Sequence, residues 1–185
     1  MINVTDLTRP VLAYGEGQEC GGPDPFFGGG RLWPVDTSKV IRRGVLADLA
    51  AVRDVYRRAS LSNAGDRANL LAHPEHLILG PEGLNEGRVL VAEQDGSVVG
   101  FATWADADGV TELEDLFVDP DWTRRGLATA LVNGIAEVIR ACGVERLEVT
   151  ANPHAMGFYT AIGFIPCGVA NTEFDQAPRM VLAIH

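Results

Sequence analysis

A turn between a predicted strand and a predicted long helix carries the strongest chemical signal in the sequence. It reads VDPDWTRRGLATAL over residues 118–131 and contains Gly126, followed by the small Ala128. A helix N-terminus leaves backbone N–H groups unpaired, and with the helix dipole they attract anions, while small residues let a ligand approach closely. The segment lacks the Gly-Lys-Ser/Thr of a Walker A loop and the GxGxxG of a Rossmann fold. The pattern therefore predicts a pyrophosphate site, although an ordinary helix start carries the same features.

Two motifs, in this order and spacing, resemble the signatures of the GNAT superfamily of N-acetyltransferases. The first is Gln/Arg-x-x-Gly-x-Gly/Ala after a strand that ends in Val-x-Pro. It is matched by Val118, Pro120, Gly126 and Ala128, with Thr123 departing from its first position. The second, Asn-x-x-Ala-x-x-Phe-Tyr-x-x-x-Gly-Phe, is matched by Asn152, Ala155, Phe158, Tyr159, Gly163 and Phe164. The resemblance covers residues 39–185 by element order and is most specific over residues 111–164.

The resemblance implies that acetyl-coenzyme A (acetyl-CoA) is the co-substrate and lies where a strand over residues 111–118 splays from a strand over residues 146–150. Its pantetheine arm would pair with the backbone of the first strand, and its pyrophosphate would meet the N–H groups of residues 124–129. The expected cofactor-binding residues are Leu116, Phe117, Val118, Arg124, Arg125, Gly126, Leu127, Ala128, Thr129 and Asn152. Two alternatives stay open: the arginine pair belongs to a solvated helix start, and Asn152 is only a helix N-cap before Pro153.

Acetyl transfer to an amine poses two proton problems. An alkyl amine, with a pKa of about 10, must lose a proton before it attacks the thioester, and the leaving thiolate must gain one. Strict strand alternation places Glu112, Glu114, Leu116 and Val118 on one face, and the resemblance implies a base at one of the two glutamates. We favour Glu114 over Glu112, because Glu114 is nearer Leu116, whose N–H would polarise the thioester carbonyl. The resemblance assigns the acid to Tyr159; a ring packed on the cofactor or core is the alternative.

The predicted reaction is transfer of an acetyl group from acetyl-CoA to a primary amine of a small molecule or peptide, by direct attack in a ternary complex. The resemblance implies that residues 56–69 wall the acceptor site, although their polar run SLSNAGD is equally an ordinary loop between helices. Residues 81–120 hold ten acids and one arginine, a charge of −9, which favours a cationic acceptor or reflects solvated loops. The alternative function is an acyl-CoA-binding regulatory or interaction protein without turnover.

Periodicity and turn residues predict the elements that must position these groups. Strands are expected at residues 40–41, 88–93, 97–104, 111–118, 146–150, 164–169 and 180–184, and helices at 49–59, 66–72, 125–142 and 154–162. With the resemblance, this order predicts an α/β (α+β) fold of GNAT type: a mixed, mostly antiparallel twisted sheet of about seven strands, flanked by four helices and splayed in the middle. Residues 1–38 form a Gly/Pro-rich N-terminal extension, and residues 39–185 form the acetyltransferase domain.

Composition excludes several classes of partner. The 185 residues hold 25 acids and 15 Lys+Arg, a net charge of −10, and 46% are apolar. An excess of acid argues against nucleic acid, including charged tRNA, and against anionic membranes as partners. There is no apolar run long enough for a membrane span and no signal-peptide pattern. These observations predict one soluble domain, and a homodimer stays open.

The cysteines and histidines indicate the compartment and the metal content. Three cysteines at wide spacing, without a CxxC pair, argue against a zinc site or a secreted disulfide scaffold and favour buried thiols in a reducing compartment. The four histidines show no metal spacing with other ligands. We therefore expect a cytoplasmic enzyme that binds no metal.

Overall fold

The structure is a computed structural model that describes residues 39–65, 67–107, 109–171 and 176–185. The strands are β1 (Lys39–Arg43), β2 (Val89–Gln94), β3 (Ser97–Ala107), β4 (Val110–Val118), β5 (Arg146–Thr150), β6 (Ile165–Asn171) and β7 (Gln176–Ala183). They form one sheet in the order β1-β2-β3-β4-β5-β7-β6, in which every neighbouring pair is antiparallel except β4 and β5. The predicted mixed, mostly antiparallel sheet is confirmed. The extension predicted over residues 1–38 lies outside the described residues.

Five helices accompany the sheet in the described part of the chain. They are α1 (Leu49–Ser62), α2 (Arg67–Ala72), α3 (Glu82–Asn85), α4 (Leu127–Ala141) and α5 (Met156–Ala161). Four of them were predicted, whereas α3 lies in a glycine-rich segment for which no helix is predicted. Its single turn buries Leu84 against the core, with 7% of that residue exposed. The expected number of helices was therefore one too low, because a one-turn helix leaves no periodic pattern in the sequence.

The two faces of the sheet bury separate apolar clusters. On one face, Val52 and Val55 of α1 pack with Phe101 and Phe117 of the sheet. On the other face, the predicted stripe along α4 is buried and packs with strand residues and α5. The α4 side chains in that cluster are Leu127, Leu131, Ile135 and Ile139. Helices on both faces thus hold the central strands in place.

The sheet opens between its two parallel strands. β4 and β5 pair only at Glu112 with Glu148 and at Leu113 with Val149, whereas all five residues of β5 pair with β7 on its other side. From Glu114 onward, β4 has no ladder partner on the β5 side. The splay predicted at this position is confirmed.

Two expectations drawn from composition have different outcomes. Among the described residues, none of the helices has both the length and the apolarity that crossing a bilayer requires. Cys167 is free and exposed rather than buried, and Cys142, which follows α4, is disulfide-bonded. The expectation of buried, reduced thiols is therefore wrong for both residues, because an odd number of cysteines without a CxxC pair does not exclude one disulfide. A cytoplasmic location stays a prediction without this support.

Candidate active site

A β-bulge in β4 sets the direction of the central acidic side chains. Thr103 of β3 pairs with Asp115, but the next residue, Trp104, pairs with Leu113. Glu114 is therefore an extra residue on β4, opposite no single residue of β3. A bulge of this kind bends the strand and redirects the side chains on either side of it.

The bulge overturns the predicted alternation along β4. Leu113 and Leu116, three residues apart, both lie in the apolar cluster on the α4 side of the sheet. Phe117 lies in the cluster on the α1 side. The expectation that Glu112, Glu114 and Leu116 share one face is wrong, because a period of two fails where one residue is inserted.

A cavity of about 110 Å³ lies on the α1 side of the bulge. Its lining residues are Val52, Leu79, Gly80, Glu82, Gly83, Leu84, Arg88, Val89, Thr103, Glu114 and Asp115. Glu114 and Asp115 are consecutive, and both line the cavity. A regular strand would send their side chains to opposite faces, so the bulge is what brings the two carboxylates together.

The cavity is lined by residues other than those of the predicted acceptor wall, which stays a prediction. The predicted wall, residues 56–69, contributes none of the lining residues, whereas α1 contributes Val52 and the segment around α3 contributes five. The sequence carries no pattern that brings this segment to β4, since Glu82 and Glu114 are 32 residues apart and meet only in the lining of the cavity.

Charged and polar partners hold the two carboxylates of the cavity. One Glu114 carboxylate oxygen lies 3.6 Å from Arg88 Nη1, and the Glu114 side chain is 20% exposed. Arg88 itself donates to the Trp104 carbonyl and to the Glu86 carboxylate. Asp115 is 2% exposed and accepts a hydrogen bond of 2.7 Å from Thr103 Oγ1. Glu114 is thus the more accessible carboxylate and the better placed to meet a ligand.

Glu112, the second candidate base, is bound to the strands on the other side of the splay. One carboxylate oxygen accepts from Thr150 N–H at 3.1 Å and from Thr150 Oγ1 at 2.6 Å, and the other lies 3.6 Å from Arg179 Nη2. Burial lowers the pKa of Arg179, but the hydrogen bond to Glu148 and the nearby charge of Glu112 raise it by more. The pKa of Arg179 therefore lies above its usual value. Arg179 therefore stays a cation, and Glu112 acts as a link between β4, β5 and β7.

The open edge of β4 offers backbone groups at the two predicted positions. Asp119 N–H donates to Val99 O, on the β3 side. Backbone groups along a strand alternate in direction, so Phe117 also faces β3, and Leu116 and Val118 face the splay. Phe117, whose side chain is 0% exposed, has neither its backbone nor its ring directed to the cleft. The expectation that it binds the cofactor is therefore not supported.

The turn over residues 123–129, called the 123–129 turn below, presents unpaired backbone donors. Arg124 and Gly126 have φ values of +59° and +78°, and α4 begins at the next residue, Leu127. The first hydrogen bond of the helix joins Ala130 N–H to Gly126 O at 3.0 Å. Within the described residues, the N–H groups of residues 127–129 donate to no acceptor. Unpaired donors at a helix start fit the predicted pyrophosphate site.

Side-chain contacts brace the 123–129 turn from the preceding segment. Thr123 Oγ1 donates to Pro120 O at 3.2 Å, which supports the turn from the side, as the resemblance implies for this motif position. The Arg125 guanidinium lies over the Trp122 ring, 4.4 Å from its centroid, and donates to Asp121 O at 3.2 Å. Arg124, Arg125 and Gly126 are exposed. Both arginines thus add positive charge at the surface of the turn.

The second motif places Asn152 and Tyr159 around α5. Asn152 Oδ1 accepts from His154 N–H at 2.9 Å and caps the turn that precedes α5, as its N-cap alternative predicts. Tyr159 is 0% exposed and packs edge-on against Phe158 and Phe164. Its hydroxyl has no hydrogen-bond partner among the described residues. Burial raises the pKa of Tyr159 well above its usual value, so the hydroxyl stays protonated.

A cluster of three candidate metal ligands contradicts one expectation about the histidines. His73, Glu75 and His76 place one ligand atom each within 4.8 Å of one another, and His73 Nδ1 lies 3.1 Å from Glu75 Oε1. Hydrogen bonds from its own backbone N–H and from His73 lower the pKa of Glu75. The expectation that no histidine shares metal spacing with other ligands is wrong, because a short 3-10 turn brings residues three apart together. The absence of a metal stays a prediction.

Comparisons with known proteins agree with this geometry. Residues 49–164, more than half of the chain, match the model of the acetyltransferase (GNAT) family. A stretch of 136 residues, 68% of this chain, is 29% identical to the L-amino acid N-acyltransferase MnaT of Escherichia coli and covers 78% of it. A stretch of 90 residues, 43% of this chain, is 33% identical to an uncharacterized N-acetyltransferase of Methanocaldococcus jannaschii and spans only 40% of that protein.

A solved structure shows the same fold. The PaiA N-acetyltransferase of Thermoplasma acidophilum, in complex with coenzyme A, superposes with a TM-score of 0.61 and 19% identity, over 79% of this chain and 99% of that one. Similarity at this level of identity concerns the fold. With the family match over residues 49–164, it completes the assignment. The chain belongs to the GNAT family of acetyltransferases.

Proposed function

We propose that the protein transfers an acetyl group from acetyl-CoA to a primary amine of a small molecule or peptide, by direct attack within a ternary complex. One observation carries this proposal. The β4–β5 ladder ends at Leu113, and the next residue, Glu114, is the bulged residue that lines the cavity on the α1 side. The cofactor cleft and the acceptor cavity therefore meet at the residue favoured as the base.

The cofactor side of the proposed site is built from backbone donors. Leu116 and Val118 would pair with the pantetheine arm, because their backbone groups face the splay and have no ladder partner there. The N–H groups of the 123–129 turn would hold the pyrophosphate, and Arg124 and Arg125 would add charge. The bound coenzyme A in the Thermoplasma acidophilum structure supports a nucleotide cofactor for this fold.

The acceptor side combines apolar walls with negative charge. The carboxylates of Glu82, Glu114 and Asp115 face the single guanidinium of Arg88 in the cavity lining. A cationic amine is favoured there, because its ammonium would meet an excess of negative charge in a partly dry site. The similarity to MnaT, an L-amino acid N-acyltransferase, supports a small amine as the acceptor class.

Three residues would perform the proposed chemistry. Glu114 accepts the proton that the acceptor ammonium must lose, and the neutral amine then forms its bond to the acetyl carbon. Leu116 N–H donates to the carbonyl oxygen as negative charge develops there. Tyr159 donates its proton to the sulfur as the carbon–sulfur bond breaks, and it regains a proton from the nitrogen, which loses its second proton as the amide forms. The buried hydroxyl without a partner supports this role.

The test is release of free thiol from acetyl-CoA in the presence of a panel of amines: polyamines, amino acids, aminoglycosides and peptides. We expect release that depends on at least one amine and is strongly reduced by Glu114→Gln. Tight binding of acetyl-CoA without release across the panel would contradict the proposal and favour the regulatory alternative. The binding measurement and the turnover measurement thus separate the two functions.

A further inference from the structure

Arg58 of α1 reaches the segment that leads from β4 into the 123–129 turn. Its Nη1 lies 2.6 Å from Asp119 Oδ2, and its Nη2 lies 3.0 Å from Asp121 Oδ2. A guanidinium is a rigid planar fork, so one that contacts two carboxylates fixes their relative position as well as neutralising them. Arg58 therefore ties α1 to this segment at two points.

The Asp119 carboxylate needs this cation more than an exposed carboxylate would. Its side chain is 5% exposed, and its other oxygen accepts from Asp121 N–H at 2.9 Å. That bond caps the 3-10 turn Pro120–Trp122. Because the Arg58 side chain is itself 46% exposed, solvent reaches the pair, and its loss should cost less global stability than the loss of a fully buried pair. Without Arg58, the position of this cap would no longer be held.

The braces of the 123–129 turn all rest on the segment that Arg58 holds. Thr123 Oγ1 donates to Pro120 O, and Arg125 contacts both the ring of Trp122 and the carbonyl of Asp121. A shift of residues 119–122 should therefore move the unpaired N–H groups at the start of α4. Backbone donors bind an anion well only when they are held in the right positions before it arrives.

We propose that Arg58 is a positioning residue for cofactor binding, which acts through Asp119 and Asp121 on the 123–129 turn and does not touch the cofactor. This inference rests on the proposed function, in which that turn holds the pyrophosphate. It also predicts a selective effect. The acceptor side is held by other α1 residues: Arg53 Nε donates to Leu79 O at 2.7 Å, and Tyr56 Oη donates to His76 O at 2.8 Å.

The test compares Arg58→Met with Arg57→Met in the full chain, using coenzyme A as the probe in calorimetric titrations. Arg57 immediately precedes Arg58 in α1. It is exposed and forms no ion pair within the described residues. Each variant loses one charge and keeps an unbranched side chain. We expect Arg58→Met to raise the Kd of coenzyme A about tenfold, as loss of a hydrogen bond to a charged group does. Arg57→Met should stay within about twofold.

Further measurements separate positioning from general destabilisation. We expect Arg58→Met to raise the KM for acetyl-CoA while the KM for the acceptor stays the same, and Arg58→Lys to recover part of the affinity. The melting temperatures of the two methionine variants should agree within a few degrees. A Kd unchanged by Arg58→Met would overturn the inference, and so would a loss of affinity matched by a large fall in melting temperature. A wild-type protein that binds no coenzyme A would instead contradict the proposed function.

Discussion

The two halves of the candidate site use different chemical groups: backbone N–H groups in one half and side chains in the other. The 123–129 turn offers backbone N–H groups from consecutive residues, whereas the cavity at Glu114 is lined by side chains from α1, α3 and three strands. A backbone site depends on the conformation of a short segment and tolerates changes in side chains that keep this conformation. A side-chain site depends on each group separately. Variants in the two regions should therefore fail in different ways.

The largest expected effect is on the backbone half. Gly126→Glu places a carboxylate at the helix start and a side chain at a φ of +78°, so binding of acetyl-CoA should be abolished. Wild-type protein should gain about 2.7 kcal/mol of stability at a hundredfold excess of ligand over Kd, and the variant should gain none. Thermal melting with and without acetyl-CoA measures this difference.

Gly96→Glu is the matched control for that variant. Gly96 lies in the turn between β2 and β3 with a φ of +79°, and a Cβ there meets nothing within 4 Å, as at Gly126. The two variants carry the same strain and the same charge. If Gly96→Glu also removes the stabilisation by acetyl-CoA, or if Gly126→Glu keeps it, the pyrophosphate lies elsewhere.

The next largest effect is expected at the acid. Tyr159→Phe removes one buried oxygen and keeps the ring that packs between Phe158 and Phe164. The turnover number should fall by roughly 10² to 10⁴, the usual contribution of a positioned proton donor, while acetyl-CoA affinity stays within a few-fold. Steady-state kinetics and titration measure the two quantities. Weaker binding of acetyl-CoA with an unchanged turnover number would show that Tyr159 only forms a wall of the cofactor cleft.

A smaller effect, on rate, should distinguish the two glutamates. Glu114→Gln should lower kcat/KM by roughly 10² at neutral pH and recover in part at high pH, where more of the amine is already neutral. Glu112→Gln should change the rate less, because Glu112 is bound to Thr150 and Arg179 rather than directed into the cavity. Rate profiles between neutral and alkaline pH test the ranking. A larger loss from Glu112→Gln would assign the base to Glu112.

The smallest effect concerns stability at alkaline pH. Burial raises the pKa of Tyr159 above its usual value of 10.0, so above that pH the unfolded chain releases this proton while the folded protein keeps it. Stability must then fall as pH rises, by about 1.4 kcal/mol per pH unit for this group. Urea unfolding at pH 10 and pH 11 should show this loss in the wild type and not in Tyr159→Phe. Equal losses would show that the hydroxyl is solvated.

The contrast between the halves also explains what the sequence could predict. Gly126 and the apolar stripe along α4 are signals within one segment, and the structure places both as expected. The bulge at Glu114 depends on pairing with Trp104 and Thr103 of another strand. No local pattern along β4 reveals such an inserted residue. The expectation that the two glutamates share a face with Leu116 was wrong for this reason.

Long-range contacts account for other features that the sequence alone did not predict. The cavity joins residues of α1, the α3 region and β4, which are far apart in sequence. Arg58 meets Asp119 and Asp121 more than 60 residues along the chain. The last strand is predicted from Met180, whereas β7 begins at Gln176 and includes Pro178, a residue that disfavours strand interiors. In each case the structure depends on contacts with residues that are distant in sequence, rather than on the local sequence of the segment.

The carboxylate of Glu112 has one more consequence, for the thermodynamics of ligand entry. It accepts from Thr150 N–H at 3.1 Å and from Thr150 Oγ1 at 2.6 Å, beside the last residue pair of the ladder between β4 and β5. This side-chain contact helps to fix the point at which the two strands part. The free-energy cost of holding them apart is incurred when the chain folds, and a guest molecule finds a preorganised groove instead of having to separate paired strands.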